Sequence, residues 1–153
     1  MHVNRFTIDI AKSLFERKKK KFRKLKKLKV NFLPKDEKNM IMINTHFWKH
    51  LNHNKNNQKR SFKDVILRLY NIKNAITLLE NTHHYQDKYS IITNSKKEDF
   101  IFIVSHINAN RLGIVLRRSH SNRTYHLYSI IPNWKGYIPR QDLNLKKVAI
   151  HRP

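Results

Sequence analysis

Groups able to bind or protonate a phosphate crowd one stretch of this chain: His106, Arg117, Arg118, His120, Arg123 and His126. An imidazole with a pKa near 6.5 can take or give a proton at neutral pH. A guanidinium can hold two oxygens of one phosphate at once. Metal-free scission of a ribose-phosphate chain needs both residue types. It asks for a base at the 2′-hydroxyl, an acid at the leaving 5′-oxygen, and cations against the charge that builds on phosphorus. A second supply of imidazoles stands earlier, in Thr45-His46-Phe47-Trp48-Lys49-His50-Leu51, with His53 just beyond. His46 and His50 have the spacing of two helical metal ligands, and His53 is three further on. A catalytic zinc normally takes three protein ligands, often including a carboxylate. No Asp or Glu lies in that motif and the chain has no Cys, so ordinary surface or half-buried histidines are the plainer expectation. The 10 acidic residues are scattered, adjacent only at Asp36-Glu37 and Glu98-Asp99, whereas two-metal nucleases gather carboxylates around their ions. Gly occurs only at Gly113 and Gly136, which leaves no glycine-rich loop to cradle a nucleotide. No metal and no cofactor is expected.

The elements that must position these groups follow from periodicity. Phe100–Ile107, Leu112–Leu116 and Tyr125–Ile131 are rich in residues that suit a pleated surface. Asn108-Ala109-Asn110 and Ser119–Arg123 separate them as turns. With Tyr89–Thr93, and Asn94–Glu98 as a hairpin loop, they read as a meander of four antiparallel strands. Alternation along a strand puts Phe100, Phe102, Val104 and His106 on one face. It does the same for Arg111, Gly113, Val115 and Arg117, and for Thr124, His126, Tyr128 and Ile130. One register brings His106, Arg117 and His126 or Tyr128 to a common face. Upstream, Met40–Ile43 is a short strand, and Thr45 caps a helix over His46–Leu51. Ser61 caps another whose stripe is Phe62, Ile66, Leu69, Ile72, Ile76 and Leu79, with a kink near Asn71. Near the N-terminus, Thr7 or Asp9 caps a helix whose narrow stripe (from the recurrence of Ile10, Leu14, Phe22, Leu25 and Phe32) runs through Lys29. The expected fold is therefore α+β, with N-terminal helices packed on a four-stranded antiparallel sheet. Residues 1–38 form a basic helical extension, 39–132 the nuclease-like core, and 133–153 a tail packed on that core.

The formal charge is +23, from 33 Lys and Arg against 10 Asp and Glu. Such a surplus repels itself, so a polyanion is the expected partner, RNA first. From Arg17 to Lys29 nearly every residue is Lys or Arg and none is acidic. Lys18, Lys19, Lys20, Lys21, Arg23, Lys24, Lys26 and Lys27 would hold backbone phosphates without reading sequence. No apolar run approaches the roughly 20 residues of a membrane span. The first residues lack a secretory pattern, so a cytoplasmic protein with no membrane partner is expected.

The layout of Thr45–Leu51, the helix after it and the strand meander resembles the barnase/EndoU/RelE-like (BECR) ribonuclease superfamily, including its phage and polymorphic-toxin members. Several of those open on a short strand and a Thr-x-x-Trp-x-His-Ile/Leu element, followed by a helix and a meander whose polar strand ends make the active site. The likeness covers roughly Met40–Pro132. The basic N-terminal stretch and the tail after Pro132 depart from the pattern. The resemblance implies a metal-independent endoribonuclease acting on tRNA or mRNA, a toxin kept in check by an acidic antitoxin or immunity protein. It makes His50 a candidate by motif position. The expected catalytic set is His50, His126, Arg117 and His106. Arg118, His120, Arg123 and Tyr128 join the lysines in binding RNA. The alternative is a non-catalytic RNA-binding protein of a ribonucleoprotein, with Tyr89, Phe102, Tyr125 and Tyr128 stacking on bases.

Overall fold

The computed structural model of the chain describes residues 5–22, 24–33, 39–54, 56–107, 110–119 and 121–135. The turn expected at Asn108-Ala109, the residues Arg23 and His120, the segment around Pro34 and the tail beyond residue 135 lie outside the described residues. In order come α1 (Arg5–Phe22), β1 (Lys27–Lys29), β2 (Met40–Met42), α2 (Thr45–Asn52), α3 (Phe62–Tyr70) and α4 (Ile72–Asn81). After them come β3 (Asp87–Thr93), β4 (Lys96–Ile107), β5 (Asn110–Ser119) and β6 (His126–Ile131). Among the described residues the strands form a six-stranded sheet in the order β1-β2-β6-β5-β4-β3. The α+β class expected from sequence is observed, but the sheet is larger than four strands and is mixed. The antiparallel meander is there as β3–β6. β1 and β2 extend it past β6, and β2 runs parallel to β6 through the pair Met42↔His126.

The N-terminal helix also differs from expectation. α1 is already helical at Arg5, so Thr7 and Asp9 lie inside it rather than capping it, and it ends at Phe22 instead of running on to Lys29. Lys27–Lys29 is a strand, paired antiparallel with β2 through Leu28↔Ile41. The run Arg17–Lys21 is still helical, whereas Lys-Leu-Lys alternates correctly for a strand, with Leu28 buried between two exposed lysines. Leu14, Leu28 and Val30 lie in the same core as the rest of the domain.

That core fills the space between the helices and one face of the sheet. Ile101, Ile103, Leu112, Ile114, Leu116, Leu127 and Ile130 meet Phe47, Leu51, Leu69, Ile72 and Leu79. The opposite sheet face carries a second cluster of Tyr89, Phe100, Phe102 and Val115, against which Tyr128, Ile131 and Trp134 pack. Ser61 caps α3 as expected, its hydroxyl accepting the amide of Asp64. The break between α3 and α4 falls at Asn71, whose side-chain amide donates back to the Leu67 carbonyl at 2.8 Å. The β3–β4 loop is shorter than expected: Asn94 and Ser95, at φ 50° and 61°, form a two-residue turn, and β4 resumes at Lys96. Both residues take the positive φ that a hairpin with the right-handed strand twist requires.

α2 carries the Thr45–Leu51 motif, and its orientation decides where the two motif histidines lie. Its cap is Asn44, not Thr45: the Asn44 Oδ1 accepts the amides of His46 and Phe47 at 3.1 and 3.4 Å. Eight residues make a marginal helix alone. Phe47 and Leu51 are 1% and 2% exposed, and burying each contributes on the order of 2 kcal/mol. Tertiary packing therefore holds this helix and sets its rotation.

Candidate active site on the sheet face beside helix α2

The site is built where β2 stops. Met42, the last residue of β2, pairs with His126, the first of β6. Past that point α2 packs against β6 in place of a strand. Phe47 and Leu51 turn into the core, and His46 and His50 lie one residue, about 100° of helix, to the side. The His50 ring stacks on Tyr128, with centroids 4.4 Å apart and planes at 23°. Tyr128 reaches that position through an irregularity in β6. Leu116 pairs with Leu127 and Val115 with Ser129, so Tyr128 is the extra residue of a bulge. It packs on the face of Phe100, which meets its ring edge-on at 6.2 Å. The Arg117 guanidinium stands over the same Tyr128 ring at 5.2 Å. Arg117 is the direct strand partner of both His126 and Phe100, and it is ion-paired with Glu98.

The electrostatics follow from this crowding. Burial, with the charges of Arg60, Arg68 and Arg117, pushes the His50 imidazole down to about 4. His126 is also held below its ordinary value, first by burial and then by Arg117 and His46, while Glu98 works in the opposite direction. The His50 ring is thus neutral at physiological pH. Arg60 and Arg68 are fixed by one carboxylate. Asp64 accepts from Arg60 at 3.2 Å and from the Arg68 Nε at 3.0 Å. Arg60 also donates to the His50 carbonyl at 3.2 Å. Arg68, buried, donates to Ser129 Oγ at 3.3 Å and to the Ile130 carbonyl. The ladder Arg60–Asp64–Arg68 therefore ties the end of α2 to the bulged part of β6. Its i, i+4 spacing stands in the sequence, but only the fold reveals what each end grips.

The structure brings His50, His126, Arg117 and Tyr128 together and separates the rest. His106 is not among them. It shares the sheet face, as expected from alternation, but pairs with Arg111, whose Nε donates to it at 3.1 Å. Arg117 pairs with Phe100; six residues of strand put His106 about 20 Å away. Arg118 points to the other side of the sheet from Arg117, as adjacent strand residues must. There it pairs with Asp99 at 3.0 Å and covers the Tyr125 ring at 4.4 Å. It is therefore no neighbour of the histidines. Asp99 sits below the ordinary carboxyl value: burial alone would raise it, but hydrogen bonds from Ser90 and Arg118 and the nearby charges of Lys97 and Arg118 outweigh that. Arg123 is exposed in the turn before β6. The aromatic platform expected for base stacking is largely closed: Phe102, Tyr125 and Tyr89 are 0%, 1% and 5% exposed. His53 stands just past the end of α2, its backbone bridged to Lys59 and its Nδ1 3.3 Å from the Lys49 carbonyl oxygen, and among the described residues no three His, Cys, Asp or Glu are grouped to hold a metal ion.

The basic residues of the N-terminal stretch are divided. Lys18, Lys19, Lys20 and Lys21 are on α1, Lys24 and Lys26 follow it, and Lys27 is in β1. Lys18 falls on the side of Ala11 and Leu14, where partial burial and the charges of Lys21, Arg17 and Lys73 lower its pKa. Lys19 and Lys20 lie with Lys26 along a groove that ends at the start of α2. Glu98, Arg60 and Arg68 join the site without a signal of their own in the sequence, Glu98 standing out there only as half of an acidic pair. Among the described residues no helix is long and apolar enough to cross a membrane. No family model matches this chain, and no curated protein or solved structure was found to be similar to it.

Proposed function

We propose that this chain is a metal-independent endoribonuclease that cuts by attack of the 2′-hydroxyl, as its resemblance to the barnase/EndoU/RelE-like ribonucleases implies. The observation that carries the reading is the convergence of His50 and His126, from different elements, on the Arg117 guanidinium beside Tyr128. His50 is the base. Its pKa of about 4 keeps it unprotonated across the neutral range, and the negative charge of a bound phosphodiester raises its basicity for the 2′-hydroxyl proton. His126 is the acid. Glu98 favours its charged form, and an arriving phosphodiester adds a negative charge that favours it further. Arg117 binds the phosphate in exchange for part of its pairing with Glu98, and stabilises the charge on phosphorus. The 2′-oxygen bonds to phosphorus, the 5′-oxygen leaves with the His126 proton, and a 2′,3′-cyclic phosphate and a 5′-hydroxyl result. The substrate is tRNA or mRNA. The biological setting is a bacterial or phage toxin acting in the cytoplasm, restrained by an acidic antitoxin or immunity protein that covers the basic face.

Incubation of the purified chain with total RNA tests this. Discrete fragments ending in 2′,3′-cyclic phosphate are expected, undiminished by EDTA. His50→Ala and His126→Ala should each lower the rate by about 10²–10⁴-fold. Cleavage by both variants at the parental rate sinks the assignment. The alternative is a non-catalytic RNA-binding protein, which would rely on the basic run and on Tyr128 rather than on the buried rings of Tyr89, Phe102 and Tyr125; RNA bound but left uncut would favour it.

A further inference from the structure

A groove of about 960 Å³ runs between α1 and the junction of β2 with α2. One wall carries Arg17, Lys19 and Lys20, at the i, i+2 and i+3 positions of α1, and Lys26 stands just before β1. All four are exposed. Lys19 is held with its ammonium over the Phe15 ring at 5.7 Å, which steadies a side chain that would otherwise sweep solvent. One carboxylate, Glu16, lies among the lining residues. The rest of the lining is different in kind. Met42, Ile43 and Trp48 line the groove together with Asn44 and Thr45; Met42 is half-buried, while Ile43 and Trp48, 7% and 8% exposed, are packed into the core and show the groove only an edge. The indole is braced edge-on by Phe15 and Phe47. The groove is therefore a cationic rim over an apolar, partly aromatic floor.

The groove also adjoins the candidate active site at Met42. Met42 on its floor is the strand partner of His126. Thr45 at its end is followed by His46, whose charge reaches His126. A polymer held at Arg117 and His126 therefore meets the groove at Met42, the strand neighbour of His126.

We propose that this groove binds the strand that flanks the scissile phosphate, and that the strand is unpaired: phosphates lie on Arg17, Lys19, Lys20 and Lys26, and bases turn onto Met42 and the open edges of Ile43 and Trp48. This deepens the ribonuclease reading and rests on it for the identity of the polymer. A cationic rim alone would serve single strand and duplex alike. The apolar floor discriminates, because a duplex keeps its bases stacked inside and offers such a surface only sugar and phosphate. An unpaired strand can cover the floor with base faces. The volume is at the upper end of small-ligand sites, in keeping with more than one nucleotide.

The test is a binding measurement that does not depend on cleavage. The full chain carrying His50→Ala and His126→Ala is titrated into a fluorescent 12-nucleotide single-stranded RNA, and into the same RNA annealed to its complement, between 50 and 300 mM salt. Lys19→Gln, Lys20→Gln and Lys26→Gln are then added together. Each single-strand phosphate contact adds about 0.7 to the slope of log affinity against log salt. Loss of three should flatten that slope by about 2 and weaken single-strand binding on the order of 100-fold at 0.1 M salt. A control removing the same charge at the exposed residues Lys63, Lys73 and Lys96 should weaken it far less. The duplex should bind more weakly than the strand and respond alike to both triple variants. Circular dichroism confirms that each variant is folded. Equal losses in the groove and control variants, or a duplex that binds as tightly as the strand, overturn the proposal. Since the probe is never cut, a failed groove with intact cleavage in the parent refutes only the groove. Intact groove binding with no cleavage refutes only the nuclease.

Discussion

The low pKa of His50 has a consequence for folding that can be measured without a substrate. In the unfolded chain the imidazole titrates near 6.5; in the folded chain burial and the charges of Arg60, Arg68 and Arg117 bring it to about 4. Between those values the unfolded state takes up a proton that the folded state refuses. Stability must therefore fall as pH drops from about 7 toward 4, and His50 contributes no pH dependence above that window. For a fully buried group the gap would correspond to about 3 kcal/mol. His50 is only half-buried, and solvent screening reduces this to roughly 1–2 kcal/mol. The perturbation is His50→Gln, which removes the titrating group and keeps an amide of similar reach. Urea denaturation of parent and variant at pH 7, 6, 5 and 4 supplies the comparison. At pH 7 the parent should be the more stable, since the variant loses the stack on Tyr128. That advantage should shrink by roughly 1–2 kcal/mol by pH 4, because only the parent is penalised for excluding a proton. Carboxylates such as Asp99 titrate in both proteins and cancel in the difference. A difference that stays constant with pH would refute the idea that the three arginines and burial act on this ring.

Other expectations rest on single contacts. Arg117→Met removes a charge that both imidazoles feel, so His50 and His126 should both titrate higher by NMR of their ring protons; two unmoved titration curves would contradict the shared site. Arg68→Met strips Asp64 of one partner and leaves the Ile130 carbonyl and Ser129 hydroxyl without theirs, at a cost of about 3 kcal/mol readable as a lower urea midpoint. Gly113→Ala sets a methyl 3.2 Å from Phe102 Cζ and 3.5 Å from Ile131 Cβ. Phe102 is fully buried and has nowhere to move, so a loss of about 1 kcal/mol is expected, and an unchanged or raised melting temperature would show that the cluster yields.

How much of this was legible in the chain differs by element. The α3–α4 stripe, its Ser61 cap and its break at Asn71 depend on neighbours within a turn or two, and local spacing records them. The β3–β6 meander is local in the same sense, since each strand pairs with the next in sequence. Alternation also placed Arg117 correctly on the face of Phe100. The parts that escaped are those settled by distant contacts. Lys27–Lys29 lies in a run of like charge that continues a helix on paper, and it is a strand because Leu28 finds Ile41 and the core. The parallel pairing of Met42 with His126 joins segments more than eighty residues apart, and no local pattern announces it.

The same division runs through the candidate site. Residue types alone determined that the chain is strongly cationic, that it lacks thiols, glycine loops and a gathered set of carboxylates, and that its histidines and arginines are of types able to move protons and hold phosphate. Which of those groups meet was decided by tertiary structure. One residue of strand separates Arg117 from Arg118 and sends them to opposite faces, one to the histidines and the other to Asp99 and Tyr125. The length of β4 carries His106 out of reach. A single bulge brings Tyr128 under His50. The physical reason is that chemistry at a phosphate requires groups within a few ångströms. Residue type limits what a group can do, but strand register, helix rotation and a bulge set those distances, and each depends on burying side chains far along the chain.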